Sequence, residues 1–150
     1  MIYRGTLPNS FGGVYSFRAL DNSPTQETIT EAAMYPQMQN EVLDFGSVYS
    51  AGGSAIAPKT GNLNFGFTVQ IEAFNGNSLG TIDIWCTDNS LAYGAKTYNI
   101  SNGVTSSVSF SGTFAVTSGY TYTLRIRADS GYDLSGRTVQ AGTSWYGQFI

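Results

Sequence analysis

The 150-residue sequence contains no histidine and only one cysteine, Cys86. These two absences exclude the usual histidine-dependent triads, Cys/His zinc sites and any disulfide within the chain. Cys86 continues the alternating run of Ile82 and Ile84, which favours a buried core thiol over a reactive one. No glycine-rich phosphate-binding motif is present, and the ten acidic residues are dispersed. We therefore expect a non-enzymatic protein with no cofactor and no metal.

Charge is also scarce, since charged residues make up 11 % of the chain against about 25 % in an average soluble protein. The net charge is −3, and the seven basic residues form no patch. Binding to nucleic acid or to an anionic membrane therefore has little electrostatic support. No run of 18 apolar residues is present, so no transmembrane helix is expected. The opening residues MIYRGTLPNSFGG lack the apolar core of a signal peptide, which favours assembly in a host cytoplasm.

The residues that are abundant belong to an all-β protein. The chain has 18 glycines, ten tyrosines and nine phenylalanines, together with frequent threonine, serine and valine. Apolar and polar residues alternate in several runs, among them 63–73, 82–86, 108–116, 120–128 and 139–150. Asn-Gly pairs supply tight turns between some of these runs. Seven to nine strands without a convincing long helix predict an antiparallel sandwich or jelly roll.

Residues 1–40 differ from the rest of the chain. They mix aromatic residues with turn formers and contain three of the four prolines. We interpret 1–40 as an extended N-terminal arm and 41–150 as the jelly-roll domain. Within the arm, the residues predicted to dock on a partner are Tyr3, Arg4, Phe11, Tyr15 and Phe17.

Several short motifs resemble one family. The stretch AIAPKTG at 55–61, followed by alternating apolar and aromatic residues from Leu63 to Phe67, is similar to a motif in the globular heads of complement-first-component and tumour-necrosis-factor-type proteins. The stretch VLDF at 42–45 resembles the strand entry of these heads. Residues 116–126 resemble their penultimate strand, although Tyr120 replaces the family's acidic residue. The closing YGQFI resembles the family's final block.

This resemblance implies a ten-stranded jelly roll that forms a homotrimer around a three-fold axis. It also implies adjacent termini and a central final strand close to the axis. In the closing SWYGQFI, Trp145 and Phe149 share one face of an extended strand, and Tyr146 and Ile150 share the other. We expect one face to pack into the sandwich and the other to meet neighbouring subunits. The predicted trimer-interface residues are Trp145, Tyr146, Phe149, Ile150 and Phe67.

The favoured function is that of a homotrimeric capsid decoration (cement) protein or small spike on a phage-like virion. Its partner would be the major capsid protein or another virion protein, and its location the capsid surface. The alternative is a receptor- or glycan-binding head of a phage fibre, or a carbohydrate-binding module, with Trp85 and Tyr132 as glycan contacts. Arg125 and Arg127 share a strand face and are expected to be solvated or bonded to a neighbouring strand. The Asp129–Asp133 loop is interpreted as a solvated turn rather than a calcium site.

Overall fold

The structure is a computed structural model that describes residues 15–21, 33–36, 38, 40–50, 53–73, 76–131, 137–139 and 142–150. These residues form eleven β-strands and, within the described ranges, no helix. The strands are β1 (Tyr15–Leu20), β2 (Asn40–Phe45), β3 (Tyr49–Ser50), β4 (Ser54–Ile56), β5 (Gly61–Ala73), β6 (Ser78–Cys86), β7 (Leu91–Ile100), β8 (Val104–Val116), β9 (Thr121–Ala128), β10 (Arg137–Val139) and β11 (Ser144–Phe149). The predicted all-β class is confirmed.

Two antiparallel sheets form the sandwich. In sheet A the order is β8-β5-β11-β1-β2, and β10 continues the line of β11 along the same edge of β5. In sheet B the order is β3-β4-β9-β6-β7. The longest pairing joins β5 to β8 over 13 residues, from Gly61 opposite Val116 to Ala73 opposite Val104. The predicted jelly-roll sandwich is confirmed.

Aromatic residues fill the space between the sheets in two clusters. In the first, the ring centroid of Phe17 lies 4.5 Å from that of Trp145 and 5.1 Å from that of Tyr49. The second joins β5, β7, β8 and β9 through Phe65, Phe67, Tyr93, Phe110, Phe114 and Tyr122. Edge-to-face and offset ring contacts of this kind add specificity to the area that the rings bury. Cys86 is fully buried, as its place in the alternating run predicts.

Strand β1 corrects the proposed division at residue 40. It lies between β11 and β2 inside sheet A, and Phe17 is only 1 % exposed. Because Phe17 packs on Trp145 and Tyr49, it belongs to the core and is unavailable for docking on a capsid. Tyr15 packs partly buried against the same core. The other predicted docking residues, Tyr3, Arg4 and Phe11, lie outside the described residues.

The final strand has the central position that the resemblance implies. β11 lies between β5 and β1, with hydrogen-bonded neighbours on both edges. Tyr15, the first described residue, pairs with Phe149, so the described chain begins beside the point where it ends. The last residue is held as well, since Ile150 and Asn62 exchange two backbone hydrogen bonds of 2.8 and 2.9 Å.

Candidate functional site

The two faces of β11 differ sharply in exposure. Trp145 is fully buried and Phe149 is 2 % exposed, whereas Tyr146 and Ile150 are 50 % and 49 % exposed. The strand therefore packs one face into the sandwich and presents the other to the exterior of sheet A. Of the five predicted interface residues, only Tyr146 and Ile150 reach the surface. The structure corrects the assignment of Trp145, Phe149 and Phe67, because all three are core residues within one subunit.

Tyr146 occupies a fixed place on this outer face. Its register partner in β5 is Gly66, and a Cβ atom built on Gly66 would lie 2.7 Å from Cε1 of Tyr146. The phenol ring therefore lies directly over the Gly66 backbone, and any larger residue at 66 would displace it. Covering a strand glycine with a cross-strand aromatic side chain stabilises the pairing of the two strands. The result is a large ring that is held in position and still half exposed.

A shallow groove of about 700 Å³ runs across the same face. Most of its lining residues carry polar groups, and they include the exposed Arg18 of β1. The lining residues are Ser16, Phe17, Arg18, Leu43, Asn64, Thr68, Ser144, Tyr146, Gly147 and Gln148. The central strand of sheet A therefore presents a concave surface with an aromatic ring, hydroxyl and amide groups, and one positive charge.

Beside the groove, hydroxyl and amide groups satisfy one another across β5 and β8. Thr68 and Ser109 are joined by a hydroxyl–hydroxyl hydrogen bond of 2.9 Å. The Thr113 hydroxyl donates to Asn64 Oδ1 at 2.6 Å. The Gln70 amide donates to the Ser107 hydroxyl at 3.0 Å. Because these groups already bond to one another, the face loses little hydration energy when another surface covers it.

Strand β8, one of the two edge strands of sheet A, is unusual in composition. Within the described part of the chain, β5 is the only strand paired with β8. The 13 residues of β8, VTSSVSFSGTFAV, include no charged residue and no proline. Exposed edge strands normally carry charges, prolines or bulges that prevent contact with other chains. Since β8 has none of these and pairs with β5 over 13 residues without a register shift, its composition suits contact with another subunit.

Aromatic side chains are incompletely covered where the edges of the two sheets meet. Tyr93 of β7 stacks on Phe114 of β8 with a centroid distance of 4.4 Å and an interplanar angle of 14°. Both residues, and Phe110 and Val108 beside them, are only partly buried although they pack on the core. We call these four residues the sandwich opening. The opening and the outer face of β11 are two different surfaces of one subunit.

The outer face of sheet B contains a buried ion pair. Asp83 of β6 is fully buried, and its two carboxylate oxygens accept hydrogen bonds of 2.8 Å from Nε and Nη2 of Arg125. The Arg125 guanidinium also stacks on Trp85, 3.8 Å from the ring centroid. The expectation that Arg125 bonds to a neighbouring strand is therefore met. Tyr132, the other predicted glycan contact, lies outside the described residues.

Other titratable groups in the described residues form no obvious site. Burial raises the pKa of Tyr122 to about 12, and its oxygen accepts a 3.1 Å hydrogen bond from the backbone N–H of Thr117. Among the residues that the structure describes, no three His, Cys, Asp or Glu side chains are grouped as a metal site would require. None of the described segments is a helix long and apolar enough to cross a membrane.

The fold is shared with known proteins, although no protein-family model and no curated protein sequence matches this chain. The globular domain of zebrafish complement 1qA protein superposes with a TM-score of 0.67 at 14 % identity, covering 91 % of this chain and 96 % of that one. Murine APRIL gives a TM-score of 0.67 at 14 % identity, covering 91 % of this chain and 99 % of that one. The chain thus has a complement-head and tumour-necrosis-factor-like jelly roll. The likeness extends beyond residues 41–150, in agreement with the place of β1 in sheet A.

Proposed function

We propose that this chain is a non-enzymatic, homotrimeric head that serves as a structural protein of a virion surface, either a capsid decoration protein or a small spike. The observation that carries the trimer is that Tyr146 of the central strand and Ile150 directly after that strand are half exposed on the outer face of sheet A. Although the Tyr146 ring covers Gly66 within one subunit, about half of each of these two side chains remains in water in a monomer. A neighbouring subunit that covers them removes apolar area from solvent, which contributes about 25 cal/mol for each Å².

A three-fold ring needs two different and complementary surfaces on each subunit, because each contact joins one patch to a distinct patch of the next copy. The outer face of β11 offers the exposed ring of Tyr146. The sandwich opening offers the partly covered rings of Tyr93, Phe110 and Phe114. In the proposed trimer, β8 and the opening of one subunit pack against the outer face of β11 in the next.

Electrostatics support this arrangement. β8 carries no charge, and Arg18 is the one charged residue that lines the groove. Few ions therefore have to lose their hydration when the two surfaces meet, and burial of unpaired ions is the main electrostatic cost of such contacts. Depletion of charge at the centre of an interface is typical of stable assemblies.

The virion role is supported by composition. The chain has few charges and many hydroxyl, amide and glycine residues, which suits a passive surface protein. Residues Tyr3, Arg4 and Phe11 precede β1, which begins beside the end of β11. In the proposed particle, residues 1–14 contact the major capsid protein or a neighbouring virion protein. They add buried area there without any chemical step.

The trimer is tested by placing a charge on the central strand. Tyr146→Glu should convert the protein to monomers with unchanged strand content, since it removes the ring that the next subunit covers. It also places at the seam a carboxylate whose desolvation its register neighbour Arg18 offsets only in part. Tyr35→Glu is the matched control, because Tyr35 is 45 % exposed and lies outside both proposed surfaces. Light scattering after size exclusion, with circular dichroism, measures both properties. A Tyr146→Glu trimer as stable as wild type would exclude this seam.

The virion role needs a separate experiment. Virions purified from the source of the sequence should carry the chain on their surface, detected by antibody labelling and mass spectrometry. Deleting residues 1–14, which leaves β1 intact, should yield a trimer that no longer binds those particles. Particles that lack the chain, or truncated protein that binds them normally, would argue against the decoration role and its docking segment.

A further inference from the structure

A second feature lies on the opposite side of the molecule, on the outer face of sheet B. It consists of Asp83 and Trp85 on β6 with Arg125 and Arg127 on β9, and we call it the Trp85 cluster. The register places Asp83 opposite Arg125. The Arg125 guanidinium covers one face of the indole, 3.8 Å from the ring centroid, and Trp85 as a whole is half buried.

The cluster holds one positive charge that Asp83 does not neutralise fully. The fully buried carboxylate is bonded through both oxygens to Arg125. Arg127 approaches the same carboxylate only at 3.5 Å, and its side chain is 41 % exposed. Its Nε is buried without a hydrogen-bond partner. Two guanidinium groups against one carboxylate leave the cluster cationic, in a chain whose net charge is −3.

The geometry also makes the cluster rigid. The paired hydrogen bonds to Asp83 hold the planar Arg125 fork in one orientation, and the indole stacks on that fork. A ring fixed in this way loses little conformational entropy when a ligand binds. An aromatic face that is held flat beside hydrogen-bond donors is suited to a sugar ring, which has an apolar face and polar edges.

Arg127 lies opposite Thr81, four residues before Trp85 in β6, and its side chain reaches back along the sheet to within 3.5 Å of the Asp83 carboxylate. That carboxylate also binds Arg125, whose guanidinium stacks on Trp85, so Asp83 links the two arginines beside the indole. We propose that the Trp85 cluster binds an acidic sugar residue, with the pyranose ring against Trp85 and its carboxylate on Arg127. The site lies within one subunit, on the sheet opposite the proposed trimer seam, so it does not rest on the trimer.

The test uses two sugars that differ at one group, methyl β-D-glucuronide and methyl β-D-glucoside. The chain has two tryptophans, so a ¹⁵N-labelled sample gives two indole N–H signals, and Trp85→Phe assigns them. The glucuronide should shift the Trp85 signal and leave that of the fully buried Trp145 in place. The glucuronide should bind about tenfold more tightly than the glucoside, as expected for one charge-assisted pair.

Two variants with the same change of charge locate the carboxylate. Arg127→Gln should lower affinity for the glucuronide about tenfold, to that of the glucoside, without altering glucoside binding. Lys59→Gln, at an exposed lysine outside the cluster, should leave both affinities unchanged. Trp85→Ala should abolish binding of both sugars.

The wild-type comparison decides the proposal even if a variant fails to fold. A Trp85 signal that does not move at saturating glucuronide would overturn it. So would equal affinity for the two sugars, or equal losses in Arg127→Gln and Lys59→Gln. If the wild type is a monomer that binds the glucuronide, the trimer proposal fails and the sugar-site proposal stands. If it is a trimer that binds neither sugar, the sugar-site proposal fails and the trimer proposal stands.

Discussion

The outer faces of the two sheets differ in which side chains are engaged within the subunit and which remain exposed to solvent. On sheet B the buried Asp83 is fully engaged by Arg125, on which Trp85 stacks, while Arg127 Nε stays buried with no hydrogen-bond partner among the described residues. On sheet A the Tyr146 ring of the central strand is half exposed, and the aromatic rings of the uncharged edge strand β8 are only partly buried. The ion pair of sheet B is made within one subunit, whereas the exposed aromatic surface of sheet A is suited to a protein partner. The predictions below test that contrast.

The largest effect is expected at Phe17 of β1, the strand beside β11, because its side chain is buried in the core. Phe17→Ala should lower the free energy of unfolding by about 3–5 kcal/mol, because it leaves a cavity between Trp145 and Tyr49. Urea unfolding measures the loss. Tyr35→Ala, at an exposed aromatic residue, is the control and should cost far less. If the two changes cost the same, β1 would not be the integral strand that the structure shows.

On sheet B, Asp83→Asn should destabilise the fold by about 3 kcal/mol or more, because Arg125 would stay buried without its counter-ion. The exposed Asp129→Asn removes the same charge and should change the unfolding free energy by less than about 0.5 kcal/mol. Denaturation midpoints at neutral pH give both values. Similar midpoints for the two variants would mean that sheet B does not depend on its ion pair.

A smaller effect is expected at Gly66. Gly66→Ala should displace the Tyr146 ring, which lies where the new Cβ would sit, and should cost about 1–3 kcal/mol. Gly103→Ala is the control: it measures the cost of replacing a turn glycine by alanine through backbone strain alone, without a displaced side chain. Nothing lies within 4 Å of a Cβ there, although the positive φ of 78° adds strain. Loss of trimer in Gly66→Ala but not in Gly103→Ala would tie Tyr146 to the seam.

The smallest effect concerns pH. Because burial raises the pKa of folded Tyr122 from 10.0 to about 12, its contribution to stability is complete below pH 10 and is lost as pH rises toward 12. Tyr122→Phe should therefore show a shallower fall in stability across that window than wild type, measured by thermal unfolding. Parallel curves would indicate that Tyr122 ionises equally easily in both states.

Alternation along single strands predicted the all-β fold class and the burial of Cys86, whereas the central place of the final strand was implied by the resemblance to complement and tumour-necrosis-factor heads. Alternation also separated the faces of β11, since Trp145 and Phe149 alternate with Tyr146 and Ile150. Alternation does not say which residues on each face stay exposed, so Trp145, Phe149 and Phe67 were placed at an interface. Whether a strand face is buried within the subunit depends on what the rest of the chain packs against it, which the alternation of that strand does not reveal.

Two other features depend on pairing between distant strands. β1 is short and flanked by turn formers, so alternation alone did not identify it as a strand. Its place in sheet A follows from its pairing with β11 and β2. The Asp83–Arg125 pair depends on the register of β6 with β9, which single strands do not reveal. The signal available in the sequence for this ion pair was a charged residue on each strand, Asp83 and Arg125, at a position between the apolar residues that face the core.

Sedimentation equilibrium of the wild-type protein tests the central claim, that the open face of sheet A is covered by another copy of the chain. At micromolar concentration the account predicts one species with three times the chain mass of 16.1 kDa. Tyr146→Glu at the same concentration should sediment at the mass of one chain. A wild-type protein that sediments as a monomer would contradict the account.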